Sequence, residues 1–305
     1  WRKLQRLRSL RVLMIASQLR LERRELRALA LLLLCGASLQ LYFVARIALM
    51  AVLAPWITPY DAFAQDLNMR MIPPAFMEGG RPDHLLGTDQ LGRDYLSRLI
   101  YGARISMLIG VASVITSGLI GITLGMLGGF IGGRVDMVVM FIITCRLSIP
   151  LILVALAVVS LVGSSLTVVV MTLGLLLWER FAVVTRTTVM QVRTLDYVAA
   201  AWAAGCSRTH ILLREVLPNA LPPVIVYASV VMAVAILLES ALAFLQLSDP
   251  NVPSWGNLIG LGRNVLRVEW YVSAIPGVAI LLTILGVSLV GQGLNDALNP
   301  RITGR

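Results

Sequence analysis

Long apolar stretches alternate with polar segments along this chain. Six stretches stand out, at roughly 28–57, 105–131, 137–161, 165–185, 220–247 and 272–293. Each exceeds the ~20 residues that an α-helix needs to cross about 30 Å of hydrocarbon. Backbone groups in lipid must find hydrogen-bond partners within their own segment, so each stretch is predicted to be a transmembrane helix. The predicted fold class is an all-α integral membrane protein with six spans.

The composition supports this prediction. Apolar residues make up 58% of the 305 residues, charged residues only 14%, and the mean hydropathy is +0.83. Soluble chains carry about 25% charged residues. A water-soluble domain and a disordered chain are therefore both excluded, because the surplus apolar surface must face lipid.

The charge pattern predicts an orientation. The net charge is +10, and residues 1–27 hold nine basic residues against two acidic ones. An apolar stretch follows directly, so we interpret this segment as an amphipathic helix attracted to anionic lipid headgroups, and we expect no nucleic-acid partner. With the N-terminus inside, sixteen basic residues lie in cytoplasmic segments and seven in extracytoplasmic ones. Both termini are therefore predicted to be cytoplasmic.

Several kinds of chemistry lack the residues they require. The cysteines Cys35, Cys145 and Cys206 are scattered, and the two histidines form no HExxH motif. No metal, cofactor or catalytic site is predicted. Lys3 is the only lysine, so the chain has no P-loop lysine to contact nucleotide phosphates. Any ATP-driven work must be performed by a partner.

Features within the predicted spans suggest helix packing and possible function. A stripe of glycines in the second span predicts close approach of another helix; it comprises Gly121, Gly125, Gly129 and Gly133. Glu239 lies near the middle of the fifth span, where an ionisable group should face a partner or a cavity. It is either a structural glutamate bonded to a neighbouring helix or part of a pathway or gate. Arg146, which precedes Pro150 in the third span, is expected to extend to the cytoplasmic interface.

The cytoplasmic loop between the fourth and fifth spans predicts two short helices at an angle. Residues 196–204 are rich in alanine, Gly205 suits a helix C-cap and Ser207 suits the next N-cap. The second helix should cover residues 211–217 and stop at Pro218. Two such helices could dock a cytosolic protein, although an ordinary interfacial loop remains an alternative.

The sequence of this loop resembles that of a known transporter family. The string YVAAAWAAG-x9-EVLP is similar to the pattern EAA-x3-G-x9-I-x-LP of binding-protein-dependent ABC importer permeases, whose coupling loop sits in a groove of the ATPase subunit. Ala199 replaces the family glutamate, and Glu215 replaces the isoleucine. The resemblance assigns ATPase coupling to Asp196, Tyr197, Ala200, Ala201, Gly205, Ser207, Arg208, Arg214, Leu217 and Pro218.

Other segments resemble one subfamily, the C-type permeases of dipeptide and oligopeptide importers. These segments are PPAFMEGG at 73–80, HLLGTDQLGRDYLSRLIYGARIS at 84–106, AILLESALAFL at 235–245, PSWG at 253–256 and GLNDALNPR at 293–301. The chain departs from the subfamily pattern at Phe141, Thr144, Gln246, Gln292 and Asn299. The resemblance covers the chain from about residue 50 to its end.

The resemblance implies a non-catalytic permease subunit of a bacterial inner-membrane importer. It would form half of the pathway with a B-type permease, and two cytosolic subunits would bind ATP and Mg. An external peptide-binding protein would dock on residues 58–104 and 248–270. The expected divisions are a basic segment at 1–27, a first span at 28–57, an extracytoplasmic segment at 58–104 and a permease core at 105–305 with its coupling loop at 193–218.

Two kinds of alternative remain open. The same type of machine could carry another cargo, such as nickel chelates, glutathione or antimicrobial peptides. An ion-coupled secondary transporter would need no ATPase, but it should contain an inverted repeat with broken helices, and none is evident. An intramembrane hydrolase would need a nucleophile and base motif, which is also not evident.

Overall fold

The computed structural model describes the backbone of residues 44–298 and the side chains of residues 44–295. The basic segment 1–27 and the first part of the predicted span 28–57 lie outside the described residues. Ten helices of eight or more residues and two short 3-10 helices (Leu67–Met69 and Arg263–Val265) form the described part, and no β-strand occurs in it, only an isolated bridge between Thr88 and Asp94. The helices are α1 (Val44–Ile57), α2 (Tyr95–Ile131), α3 (Gly133–Leu147), α4 (Leu151–Val162), α5 (Leu166–Leu176), α6 (Trp178–Val192), α7 (Asp196–Ala203), α8 (Arg208–Phe244), α9 (Trp255–Gly262) and α10 (Tyr271–Leu298).

The described residues contain four helical segments that are long and apolar enough to cross a membrane. They are α2, the joined pair α5 and α6, α8, and α10, and the bent pair α3 and α4 makes a fifth if it counts as one span. The short apolar helix α1 is the described part of the first predicted span. The all-helical membrane fold is confirmed, whereas the count of six spans and the cytoplasmic position of the termini stay predictions.

Helix α2 is the central element, and it begins ten residues before the apolar stretch that predicted it. Asp94 starts the helix, because its carboxylate accepts a hydrogen bond from the Ser97 backbone N–H at 2.8 Å. The glycine stripe lies against α6 as predicted for Gly121, Gly125 and Gly129. Gly133 was wrongly included, because α2 ends at Ile131 and Gly133 starts α3 with no neighbour within 4 Å of a Cβ position.

The third predicted span is interrupted, which the apolar pattern at 137–161 does not predict. Helices α3 and α4 meet at an angle of 77° across Ser148, Ile149 and Pro150. Proline has no N–H to continue the first helix, and it disfavours a helical conformation of the residue before it. The prediction for Arg146 was wrong, because its guanidinium remains at the bend and donates to the carbonyl of Leu176 at 2.8 Å.

The start of the fifth span also differs from the prediction. Pro218 does not stop a short helix, because α8 continues from Arg208 to Phe244. A π-helical turn at Ile211–Val216 precedes the proline. The Asn219 side chain donates to the carbonyl of Glu215 at 2.7 Å, next to the proline. The fourth span likewise extends beyond the predicted residue 185 to Val192, with one irregular residue, Leu177, inside it.

The segment between α1 and α2 folds onto the N-terminal end of α2. Asp89 is its centre, since it forms ion pairs with Arg93 at 2.7 Å and with Arg98 at 3.3 Å, and all three side chains are buried. His84 Nδ1 lies 2.8 Å from a carboxylate oxygen of Asp94. Buried charges of this kind are stable only when they are paired. The pairs therefore fix this segment in place.

Candidate functional site

The loop that the sequence predicts to couple to an ATPase consists of α7 and the start of α8. Helix α7 ends in a Schellman motif, in which the Gly205 N–H donates to the Trp202 carbonyl at 3.0 Å and the Cys206 N–H donates to the Ala201 carbonyl at 3.1 Å. Gly205 adopts a φ of +79°, which favours glycine because it has no Cβ. The predicted C-cap at Gly205 is confirmed.

The next helix starts at the predicted residue. Ser207 is extended, and its hydroxyl accepts a hydrogen bond from the His210 backbone N–H at 3.3 Å. Helix α8 then runs without interruption into its transmembrane part. The predicted pair of short helices is therefore one short helix, α7, followed by the first turns of a span. A displacement of the loop would consequently be transmitted directly to α8.

A buried apolar cluster attaches α7 to the transmembrane helices. Val198 is fully buried, and it belongs to a cluster that α6 and α8 complete. Burying an aliphatic side chain of this size contributes roughly 1.5–3 kcal/mol. The other buried members of the cluster are Val189, Val192, Ile211, Val216 and Ala220.

Polar contacts add a second attachment, to the C-terminal end of α2. The Arg193 guanidinium donates to the carbonyls of Gly129 at 2.8 Å and Phe130 at 3.3 Å. The negative end of the helix dipole also stabilises a cation at this position. The rings of Phe130 and Trp202 stack with centroids 6.3 Å apart. The loop is thus held between α2, α6 and α8.

Helix α3 is attached to the same region by an ion pair. The Arg186 guanidinium contacts Asp136 through two nitrogen–oxygen pairs, one of them 2.6 Å long, and both side chains are mostly buried. Sequence analysis missed Arg186, Arg193 and Asp136. Asp136 lies in the first turn of α3, Arg186 in the last turns of α6 and Arg193 just before α7. Charged residues at helix ends could have indicated these positions, but no spacing rule identifies the helix that each one contacts.

The outer surface of the loop is exposed and partly apolar. Trp202 is 45% exposed and Tyr197 39%, and the exposed alanines Ala199 and Ala200 lie on the same short helix. Burial and the Glu215 carboxylate raise the pKa of Tyr197, so its hydroxyl stays neutral and reaches the Glu215 carbonyl at 3.5 Å. This surface can be buried against another protein. Of the predicted coupling residues, Ala201 and Leu217 are half-buried and the exposed ones are Asp196, Tyr197, Ala200, Gly205, Ser207, Arg208, Arg214 and Pro218.

Glu239 lies between α8 and α9, far from this loop in sequence. Its carboxylate is 3% exposed and accepts a hydrogen bond from the Ser254 hydroxyl at 2.6 Å. A Cβ at Gly256 would come within 2.6 Å of the other carboxylate oxygen, so α9 approaches closely. Glu239 therefore has the hydrogen bond to a neighbouring helix that its interpretation as a structural glutamate requires. A role of Glu239 in a pathway or gate stays a hypothesis.

The described part of the chain contains neither a metal-binding cluster nor a disulfide bond. No group of three or more histidine, cysteine or acidic side chains there could hold a metal ion. The two cysteines in this part, Cys145 and Cys206, are free thiols.

Known protein families match most of the chain. Residues 121–304 match the family described as "Binding-protein-dependent transport system inner membrane component", and residues 37–74 match "N-terminal TM domain of oligopeptide transport permease C". These two matches together include the coupling loop, the glycine stripe from Gly121 onwards and Glu239.

Named relatives and solved structures agree with these families. The chain is 40% identical to a di/tripeptide transport system permease protein of Pseudomonas aeruginosa (strain UCBPP-PA14), over 88% of both chains. It is 36% identical to a probable D,D-dipeptide transport system permease protein of Escherichia coli (strain K12), over 84% of this chain and 85% of the relative. An inward-facing structure of the MetNI methionine ABC transporter aligns with a TM-score of 0.57 at 15% identity, covering 67% of this chain and 97% of the other.

Proposed function

The chain belongs to the inner membrane components of binding-protein-dependent transport systems, and we propose that it forms half of the translocation pathway of an ATP-driven importer of dipeptides and short oligopeptides. Two relatives named as di/tripeptide and dipeptide permeases, which align along 88% of the chain, support this cargo class. The chain is a multi-pass protein of the inner membrane. We expect it to perform no covalent chemistry of its own.

The attachment of the coupling loop carries the mechanistic part of the proposal. Helix α7 exposes Tyr197 and Trp202, while Val198 and Arg193 fix it to three transmembrane helices. A cytosolic ATPase that binds the exposed surface of α7 can therefore move α8 directly. Closure of an ATPase dimer would bias the permease between inward and outward states, because each state binds its partners with different affinity.

The proposed assembly contains the partners that this mechanism needs. A companion B-type permease would supply the other half of the pathway, and two cytosolic subunits would bind ATP and Mg. The extracytoplasmic surface at residues 58–104 and 248–270 would receive a peptide-binding protein, which would perform most of the selection of cargo. Membrane lipids would surround the remaining apolar surface.

Gly205→Pro tests the coupling loop. Proline fixes φ near −65°, whereas Gly205 needs +79°, and it removes the N–H that donates to Trp202. We expect the variant to reach the membrane, to lose co-purification with the ATPase subunits and to lose peptide uptake. Gly163→Pro is the matched control, because Gly163 also has a positive φ and caps the C-terminus of a helix, but of α4, in the connection between the third and fourth spans. It should retain its ATPase subunits, and wild-type uptake by Gly205→Pro would overturn the coupling role.

A further inference from the structure

Two neighbouring spans are interrupted at the same depth. The bent pair α3 and α4 breaks at Ser148, Ile149 and Pro150, and α5 gives way to α6 at Leu177. Arg146 links the two interruptions, because it donates to the Leu176 carbonyl at 2.8 Å and to the Ile149 carbonyl at 3.3 Å. The interruptions are therefore adjacent in space.

The contacts of α2 place these interruptions within the hydrocarbon. A Cβ at Gly174 would meet Thr116, and one at Gly121 would meet Phe181, so Leu177 lies alongside the segment 116–121 of α2. That segment is about 20 Å from the cytoplasmic end of α2, at 1.5 Å per residue. It also lies inside the apolar stretch 105–131 of the sequence.

Irregular backbone at this depth is exposed on the surface of the chain. Ser148 and Pro150 are exposed, and Ile149 is 50% exposed. Non-helical backbone at membrane depth is tolerated only where protein covers it or where it lines a water-filled cavity, because lipid offers no hydrogen bonds. The exposed bend therefore favours a face covered by protein or by water over a face directed at lipid.

Charged side chains lie next to the interruption at Leu177. Arg180 has a side chain 47% exposed, and Glu179 beside it is buried with one carboxylate oxygen 3.9 Å from the Arg180 guanidinium. The other oxygen of Glu179 and the Nε of Arg146 are buried without a hydrogen-bond partner. Charged groups inside a membrane protein are costly and usually mark a substrate or ion pathway.

We propose that the interruptions of the third and fourth spans form a peptide subsite on the translocation pathway, in which Arg180 binds the carboxylate of the cargo. Arg146 is a positioning residue that holds the two broken spans together, and Glu179 orients the Arg180 guanidinium. The half-exposed guanidinium offers planar paired donors that match a carboxylate. This inference rests on the proposed function, because it takes a short peptide as the cargo.

Equilibrium binding tests the subsite directly. The permease pair with its ATPase subunits, in lipid nanodiscs without the binding protein, is titrated with radiolabelled dialanine and with unlabelled dialanine amide as competitor. In the wild type we expect dialanine to bind and the amide to compete at least tenfold more weakly, because the amide lacks the carboxylate. Arg180→Gln should weaken dialanine binding at least tenfold and abolish the discrimination against the amide, while Arg180→Lys should retain part of both.

Arg134→Gln is the matched control, because it removes one exposed arginine at the cytoplasmic start of α3. It should bind like the wild type. Unchanged affinity and discrimination in Arg180→Gln, or no dialanine binding by the wild type in any nucleotide state, would overturn the subsite. The proposed function would survive either result if the complete importer still accumulated dipeptide in proteoliposomes.

Thiol labelling tests whether the interruption faces water. Ser148→Cys and Leu119→Cys are made in a chain whose three cysteines are replaced by serine, since Leu119 is exposed at a similar depth in the unbroken helix α2. A membrane-impermeant methanethiosulfonate should modify the Ser148→Cys variant at least tenfold faster than the Leu119→Cys variant, and dialanine should protect the faster thiol. Retained uptake by the unlabelled variants shows that they fold. Equal rates, or no labelling of Ser148→Cys with and without ATP, would contradict an aqueous pathway there.

Discussion

Single residues show how this chain accommodates polar groups inside a membrane. Glu239 is buried in the outer part of α8, and the hydroxyl of Ser254 on the next helical element donates to it. The same hydroxyl accepts from the Asn257 N–H at 2.9 Å and so caps α9. One glutamate thus fixes the position of a helix that also contacts α2 through Trp255, whose indole donates to the Leu99 carbonyl at 2.9 Å.

Substitution of Glu239 separates a structural role from a charged one. Glu239→Gln keeps an acceptor for Ser254, so we expect uptake within twofold of the wild type and little change in stability. Glu239→Ala leaves the Ser254 hydroxyl without its acceptor and should cost about 1–3 kcal/mol in the free energy of unfolding. Thermal unfolding of the purified complex and peptide uptake are the measurements.

The exposed Glu78 provides the control for this series, because Glu78→Ala should change the free energy of unfolding by less than about 0.5 kcal/mol. Loss of uptake in Glu239→Gln with unchanged thermal unfolding would refute the structural prediction. It would favour a role for the ionised carboxylate in the pathway.

Helix packing at the scale of elements depends on the glycine stripe. A Cβ at Gly125 would lie 2.6 Å from the Ala182 carbonyl oxygen and 2.7 Å from Cβ of Thr185. Helices α2 and α6 must therefore approach so closely that even a methyl group forces them apart. The same face ends at the Arg193 attachment, so the stripe positions the helices to which the coupling loop is fixed.

Gly125→Ala should destabilise the chain by about 1–3 kcal/mol, the usual cost of overpacking, and should lower the thermal unfolding midpoint in detergent. Gly277→Ala is the matched control, because Gly277 lies inside α10 with nothing within 4 Å of its Cβ position. Its midpoint should stay equal or rise slightly, since alanine favours helices. Equal midpoints for the two variants would show that the close approach of α2 and α6 contributes nothing to stability.

At the scale of the whole molecule, the proposed function takes the energy of transport from partner subunits. The sequence has no P-loop lysine, and the anchored coupling loop is the surface that we propose for binding a cytosolic ATPase. The chain purified alone and reconstituted in liposomes with ATP should therefore not accumulate dipeptide against a gradient, whereas the complete importer should do so. Measurement of internal radiolabelled dipeptide decides this, and uphill accumulation by the chain alone would contradict the proposed function.

Much of the fold follows from local sequence, whereas the site follows only in part. The apolar runs predict α2, α8 and α10, and the caps at Gly205 and Ser207 are predicted correctly, because each depends on a few adjacent residues. The pairs of Arg186 with Asp136 and of Arg193 with the end of α2 could not be predicted. They join residues 50 or more positions apart, and the hydrophobic periodicity of the sequence does not indicate which helices become neighbours.

The sequence by itself determined that this is a helical membrane protein, because apolar runs of this length have no other stable backbone conformation in lipid. Only the tertiary structure decided which prolines interrupt a helix. Pro150 lies at the 77° bend of the third span, where Arg146 bonds to a neighbouring helix, whereas α8 passes through Pro218 directly after a π-helical turn. A proline always removes a hydrogen-bond donor, but the surrounding residues determine whether the chain bends or continues.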